Sequence, residues 1–234
     1  DIRRAGGKDK PPPLLRRDWR VVGMLIVISI IQLFANIAYY QWFNAGLLFI
    51  EDSVERDLFG WDVPSSAFNA LDGLFCFSLV PFLIALWSRQ NRRGTEPGDQ
   101  GKIAIGYLLT ALSCLLMLIP AAQVDADPAT KVSMIWPFLL YLLNAVGFLY
   151  YWPTLLALFS RAAPRGINAT MMGVLFASTF ISNVAVGAIG GWWERMSRFD
   201  FILLHAAVAI GALLCTMLIA RPASRLLAPH TEDQ

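Results

Sequence analysis

Six long apolar blocks, separated by short polar segments, dominate the chain. A bilayer-spanning helix takes about 20 apolar residues, and every block is long enough or nearly so. The first, fourth and fifth exceed that length, which predicts that these helices are tilted, bent or extended beyond the bilayer. The blocks cover residues 21–50, 65–87, 102–122, 133–159, 167–193 and 201–220. The pattern therefore predicts an all-α membrane protein with six transmembrane helices.

Composition agrees with this class and excludes others. Charged residues make up 15% of the 234 residues, against about 25% in soluble domains. The alternating pattern of a membrane β-barrel is absent, and no basic, aromatic-interleaved patch indicates nucleic acid. We find no phosphate loop, no nucleophile elbow and no His-x-x-x-His pair, and the three cysteines lack metal-ligand spacing. We therefore expect neither an enzyme nor a metal or cofactor site.

Positive charge alternates between the two sides of the predicted membrane. Fifteen of the 19 lysines and arginines fall within 1–20, 89–102, 161–165 and 221–225, and the other four lie in the intervening loops. By the positive-inside rule, the segments with 15 charges are cytoplasmic, and with them both termini. We expect an integral protein of a bacterial inner (plasma) membrane.

The chain divides into three parts. Residues 1–20 are basic and Pro-rich without an apolar core, which predicts a cytoplasmic linker rather than a signal peptide. Residues 21–220 form the six-helix unit, and residues 221–234 form a cytoplasmic tail. Because the chain does not begin with Met, we expect it to be the downstream part of a longer protein.

The six blocks form two similar triplets, at about 21–122 and 133–220. The first block of each triplet is aromatic and polar, and the third is almost wholly aliphatic. Two three-helix units make one half of a major-facilitator-type transporter, in which the first helix of each triplet lines the cavity. The sequence therefore predicts a 3+3 repeat, whose partner is a missing N-terminal six-helix half.

Asp72 is the one acidic residue well inside an apolar block. A charge at membrane depth costs several kcal/mol unless it faces water or a partner, so it marks a functional site by default. Three roles remain open: proton coupling, substrate binding and a structural hydrogen bond. We treat Asp72 as the candidate for proton coupling.

Polar side chains in the first block share one helix face. Gln32, Asn36, Tyr40 and Asn44 are spaced four apart. Such a stripe either joins neighbouring helices by hydrogen bonds or forms a wall of the substrate cavity. We favour the wall and assign substrate contacts to Asn36, Tyr40 and the adjacent Tyr39.

The fourth block carries a second face of this kind, formed by Asn144, Phe148 and Trp152. We predict that these three residues contact substrate, although aromatic residues here could equally serve packing or an interfacial belt. Pro153 follows them, and because proline removes a backbone hydrogen bond it predicts a bend suited to gating.

The fifth and sixth blocks contribute packing candidates. Gly187 and Gly191 form a small-xxx-small pair, which predicts close approach of a neighbouring helix. Asn183 is expected to hydrogen-bond across helices. His205, near the outer end of the sixth block, is interpreted as a buried or interfacial hydrogen-bonding group rather than a proton relay.

Several stretches resemble the proton-dependent oligopeptide transporters. Phe59-Gly-Trp-Asp-Val-Pro-Ser-Ser-Ala-Phe68 is similar to the loop and start of that family's eighth helix, and Tyr39-Tyr-Gln41 to its seventh. Residues 142–164 resemble the tenth helix, and Met171-Met-Gly-Val-Leu-Phe176 the eleventh. The resemblance covers nearly all of 21–220. It implies the C-terminal half of a proton-coupled peptide transporter.

Three positions depart from the family pattern. Tyr40 and Phe148 stand where the family usually carries Glu, and Asp72-Gly73 stands where it usually carries Asn-Pro. The Glu replaced by Phe148 usually holds the amino group of the peptide. Asp72 is therefore interpreted as a relocated charge that could take over this task from the adjacent helix.

Three functions follow as hypotheses. The leading one is proton-coupled symport of di- and tripeptides or peptide-like solutes, with the proton gradient as energy source. The second is an uncoupled facilitator or exporter of a non-peptide solute, which the loss of both Glu positions favours. The third is a membrane sensor or assembly partner that transports nothing, to which the basic N-terminal segment points.

Overall fold

The structure, a computed structural model, describes residues 14–164 and 166–228. This part of the chain contains six helical spans that are long and apolar enough to cross a membrane, as predicted. Most of the predicted linker and the end of the predicted tail lie outside the described residues. The elements are α1 (Arg16–Tyr40), a 3-10 helix (Gln41–Phe43), α2 (Ala45–Ser53), β1 (Val54–Glu55), β2 (Asp57–Leu58), β3 (Trp61–Asp62), α3 (Ser65–Arg92), α4 (Asp99–Ala126), β4 (Val132–Ser133), α5 (Ile135–Ala162), α6 (Asn168–Gly190) and α7 (Arg198–Leu227).

The helices and the apolar blocks differ mainly at their ends. Spans two, three and six continue past the predicted boundaries, for example from 102–122 to Asp99–Ala126. A helix does not have to end where its apolar residues end, because polar residues with good helix propensity continue it into the interface. The fifth span is shorter than predicted and ends at Gly190.

The first span is broken rather than merely long. Helix α1 passes into the 3-10 helix, and Asn44 has φ −117° and ψ −98°, outside helical geometry, before α2 begins. By contrast, α5 is one helix from Ile135 to Ala162 with Pro153 inside it. A break is therefore found in the first span, where no proline marks it, and the bend at Pro153 stays a prediction.

Each helix packs mainly on helices of the other triplet. Helices α4 and α7 pack on each other. Helix α4 also packs on α5, and α7 also packs on α1. At the two edges, α3 packs on α5 and α6 packs on α1. This set of contacts maps onto itself when the first, second and third spans are exchanged with the fourth, fifth and sixth. It supports the predicted 3+3 repeat.

Two glycines allow the backbones of α4 and α5 to approach closely. A Cβ added to Gly106 would lie 2.8 Å from the carbonyl oxygen of Gly147, and one added to Gly147 would lie 2.9 Å from that of Gly106. Backbone approaches this close need the absence of a side chain. The contact fixes Tyr151, whose Cβ also lies 2.8 Å from the position of a Gly106 Cβ.

Short polar elements join the helices at the end with few basic residues. Strands β1 and β4 pair in parallel, and β2 and β3 form a hairpin whose turn places Phe59 and Gly60 at positive φ. Arg56 pairs with Glu51 at 2.9 Å. The carboxylate of Asp125 accepts hydrogen bonds from the first backbone N–H groups of α7. These contacts fix the spacing of the spans around the break in the first one.

Candidate transport site

Asp72 of α3 and Tyr39 of α1 form a buried pair. The Tyr39 hydroxyl donates a hydrogen bond of 2.9 Å to Oδ2 of Asp72, and the two residues are 3% and 9% exposed. The other carboxylate oxygen, Oδ1, is buried and has no hydrogen-bond partner within the described part of the chain. A buried carboxylate that is half satisfied needs a further partner, which a proton or a cationic group of a ligand would supply.

Helix α3 explains why this acid is buried at all. Most of its side chains are exposed, and Phe68 and Asp72 are the buried ones. Asn69 lies one turn before Asp72, and its Oδ1 lies 2.8 Å from the Tyr141 hydroxyl of α5. One turn beyond Asp72, the thiol of Cys76 lies 3.9 Å from the Ala145 carbonyl. A polar stripe thus attaches an otherwise apolar helix to the rest of the fold.

An aromatic stack adjoins the acid through Tyr39. The rings of Tyr39 and Phe148 are stacked with centroids 5.5 Å apart, and those of Phe148 and Trp152 with centroids 6.2 Å apart. Tyr40 meets Tyr39 edge to face at 5.0 Å. Phe148, Trp152 and Tyr40 are half-buried, so four of the predicted substrate-contacting residues come together beside Asp72.

The amide stripe of α1 takes part in contacts between helices. Nδ2 of Asn36 and Nε2 of Gln32 both donate to the Thr179 hydroxyl of α6, at 3.3 and 3.2 Å. Oδ1 of Asn36 accepts a hydrogen bond of 3.2 Å from the Tyr151 hydroxyl. Asn36 is 1% exposed. Its placement favours the interhelical role, and we leave it out of the proposed substrate contacts.

Asn144 lies away from the aromatic stack. It is fully buried between α5 and α4, where its Oδ1 accepts a hydrogen bond of 2.8 Å from Ser113. Its Nδ2 has no partner among the described residues. The shared face predicted with Phe148 does not bring it to the same surface, because Ser113 holds it on the side of α5 that packs on α4. We leave Asn144 out of the substrate contacts as well.

Two of the predicted packing residues of the fifth span, Asn183 and Gly187, lie on an open face, and Gly191 is the residue that follows the end of α6. Asn183 is exposed, and its Nδ2 donates to the Thr179 carbonyl of its own helix at 2.9 Å instead of to another helix. No described atom outside its own helix turn lies within 4 Å of a Cβ added to Gly187. The close approach is at Gly190, where an added Cβ would lie 2.7 Å from Asn44 Nδ2.

Sequence reasoning missed Thr179, which organises this region, and gave no specific role to a second such residue, Tyr141. Thr179 receives hydrogen bonds from two amides of α1. Tyr141 is fully buried, and its hydroxyl lies within 3.0 Å of both the Trp42 carbonyl and Asn69. The signal for Thr179 in the sequence is that it is a polar residue inside the apolar fifth block. Nothing in the sequence signals the second, because a tyrosine in an apolar block is an ordinary packing residue.

The fold is that of one half of a major-facilitator-type transporter. A solved structure of a POT peptide transporter mutant, in complex with sulfate, superposes with a TM-score of 0.82 at 20% identity, covering 94% of this chain and 43% of that one. A POT family transporter in complex with 5-aminolevulinic acid gives a TM-score of 0.74 at 21% identity, over 89% of this chain and 42% of that one. These likenesses confirm the predicted fold class.

The family follows from the sequence match. The POT family profile, PTR2, matches residues 16–201. The chain belongs to the POT family, which confirms the predicted resemblance.

The curated relatives share a quarter or somewhat more of the aligned residues and are matched over only part of their own length. The peptide transporter YePEPT of Yersinia enterocolitica is 28% identical over 184 residues, which is 77% of this chain and 36% of that protein. Dipeptide and tripeptide permease B of Aliivibrio fischeri is 26% identical over 185 residues, 78% of this chain and 35% of that protein. The chain thus spans about a third of the length of these relatives.

Proposed function

We propose that this chain forms the C-terminal half of a transporter that moves di- or tripeptides, or similar solutes, together with protons. The observation that carries the proposal is the buried Tyr39–Asp72 pair beside the half-buried aromatic stack. Relatives named as peptide transporters support the substrate class. Alternating access would come from rocking of this half against a second six-helix half, with the proton gradient as the energy source.

Asp72 would be the coupling group on this half. Protonation supplies Oδ1 with a hydrogen and removes the charge, so the carboxyl can stay buried. Loss of the proton leaves a charge that must face water or a cation. Tyr39 can hold either form, because a hydroxyl can donate to a carboxylate or a carboxylic acid.

The test of coupling uses the full-length protein in proteoliposomes. We expect Asp72→Asn to abolish peptide accumulation driven by an imposed pH gradient while exchange of labelled for unlabelled peptide continues. Asp127→Asn, the same chemical change in an exposed loop, serves as the control and should leave both processes intact. If Asp72→Asn still accumulates peptide against its gradient, Asp72 is not the coupling group.

Asp72 would also receive the substrate's ammonium group. Phe148 stands where the family usually carries a Glu, and it packs between Tyr39 and Trp152. A cation next to these ring faces and the free Oδ1 would gain both cation–π and charge interactions. We expect N-acetylated dipeptides to compete less well than free dipeptides in the wild type, and this preference to be lost in Asp72→Asn. Equal competition in the wild type would contradict this role.

The second candidate, an uncoupled facilitator or exporter of a non-peptide solute, rests on the same substitution by Phe148. The described half then holds a single buried carboxylate, that of Asp72. If the rate and extent of solute uptake were the same with and without an imposed pH gradient, this second candidate would be supported over the first.

The orientation is proposed from charge alone. The helix ends with the basic segments, including Arg89, Arg92 and Arg161, would face the cytoplasm of a bacterial inner membrane. Single cysteines placed at Ser88 and at Ala129, which are both exposed, should react with a membrane-impermeant thiol reagent from opposite sides of the membrane.

A further inference from the structure

The break in the first span is held by the helices around it. The Trp42 carbonyl lies 3.0 Å from the Tyr141 hydroxyl of α5, and Trp42 Nε1 donates to Sγ of Cys114 on α4 at 3.4 Å. Asn44 Nδ2 donates to the Val186 carbonyl of α6 at 3.4 Å. These contacts join the break to α5, α4 and α6.

Gln41, at the start of the break, is buried without partners. It is 3% exposed, and neither Nε2 nor Oε1 of its side chain has a hydrogen-bond partner among the described residues. A buried amide left unpaired is destabilising, because it loses its hydrogen bonds to water and gains none in return. Native proteins rarely leave such a group unsatisfied.

His205 of α7 has one unpaired nitrogen nearby. It is 2% exposed, and Nδ1 lies 2.7 Å from the Phe201 carbonyl, so Nδ1 carries the proton and donates. Nε2 of the neutral ring is then an acceptor, and it has no partner in the described part of the chain.

The two unsatisfied side chains line the same cavity. The remaining lining is apolar, and the cavity leaves about 10 Å³ for the centre of a water molecule, which is room for about one. Among the described residues, no charged side chain lines it, which argues against His205 as a proton relay and against a bound ion. The lining residues are Gln41, Trp42, Gly46, Trp193, Phe201, Ile202 and His205.

We propose that this cavity binds one structural water molecule. The water accepts a hydrogen bond from Gln41 Nε2 and donates one to His205 Nε2. It thereby joins the break to α7. The water would be the second hydrogen-bond partner of His205, which the sequence already suggested as a buried hydrogen-bonding group.

The first test is a map of the full-length protein at about 2 Å resolution or better. We expect one isolated density peak within about 2.7–3.2 Å of both the Gln41 side chain and His205 Nε2. An empty cavity, or a direct contact between the two side chains, would overturn the proposal. This result does not depend on transport, so it stands apart from the proposed function.

The second test is a double-mutant cycle read by thermal unfolding of the full-length protein. Gln41→Leu and His205→Leu should each lower the unfolding midpoint, because each leaves the other group unpaired. The double variant should unfold no lower than the less stable single variant.

Ser29 supplies the control for this cycle. It is also buried and unpaired among the described residues, but it lies 12 residues before Gln41, about 18 Å along the helix. Gln41→Leu and Ser29→Ala should therefore shift the midpoint additively. Additive shifts for Gln41→Leu and His205→Leu would show that no water couples them.

Discussion

The contact between Gly106 and Gly147 gives the sharpest stability prediction. In Gly106→Ala, the new Cβ would lie 2.8 Å from the Gly147 carbonyl oxygen, 2.8 Å from Tyr151 Cβ and 3.0 Å from Tyr151 N. These atoms belong to the backbone or are bonded directly to it, so no side-chain rotation relieves the clash. Helices α4 and α5 have to move apart.

The size of the effect follows from comparison with an unhindered glycine. Gly211 of α7 has no such neighbour within 4 Å of an added Cβ, so Gly211→Ala should gain about 0.5–1 kcal/mol from helix propensity. Gly106→Ala gains the same amount but loses about 1–3 kcal/mol through overpacking. The two variants should thus differ by about 1–3 kcal/mol, or about 2–12 °C in unfolding midpoint for a unit of this size.

The measurement is thermal unfolding of both full-length variants in the same detergent, followed by tryptophan fluorescence. Gly106→Ala should melt below Gly211→Ala by the stated interval. Gly147→Ala should behave like Gly106→Ala, because its Cβ would lie 2.9 Å from the Gly106 carbonyl. If Gly106→Ala and Gly211→Ala melt together, the close approach of α4 and α5 is wrong.

Three further predictions concern individual hydrogen-bonding side chains. Tyr39→Phe removes the partner of the buried α3 carboxylate and should cost about 1.5–3 kcal/mol, whereas Tyr40→Phe, which makes ring contacts, should cost less in the same unfolding assay. Thr179→Val unpairs two buried amides of α1 and should cost about 1–3 kcal/mol, more than Ser182→Ala, whose hydroxyl donates within its own helix. Asp125→Ala removes the acceptor at the start of α7 and should cost about 0.5–2 kcal/mol; an unchanged midpoint would contradict the cap.

The six spans could be predicted because length and apolar content decide them locally. The break in the first span could not, since Gln41–Phe43 contains neither proline nor glycine. Its stability depends on groups from other helices, such as Tyr141 and Cys114, which lie 72 or more residues away in sequence. Pro153 does not interrupt α5, which continues from Ile135 to Ala162, and the bend expected there stays a prediction.

The polar stripes show what helix periodicity can and cannot tell. Spacing by four placed Gln32 and Asn36 on one face, and they do bind the same hydroxyl, that of Thr179. The same rule placed Asn144 with Phe148, yet Asn144 pairs with Ser113 on the far side. Periodicity identifies residues that share a face but does not identify the neighbour of that face, which packing between triplets decides.

Asp72 stood out in the sequence because a charge at membrane depth is costly unless it faces water or a partner. Its partner, Tyr39, comes from a different helix, and no local pattern links the two. The contact also shows that a structural hydrogen bond and a transport role are compatible in one residue. Tyr39 satisfies Oδ2 and fixes the side chain, while Oδ1 remains buried and unpaired in the described region. A purely structural acid would be expected to satisfy both oxygens, so the unsatisfied one is the reason to look for a proton or a ligand cation at this position.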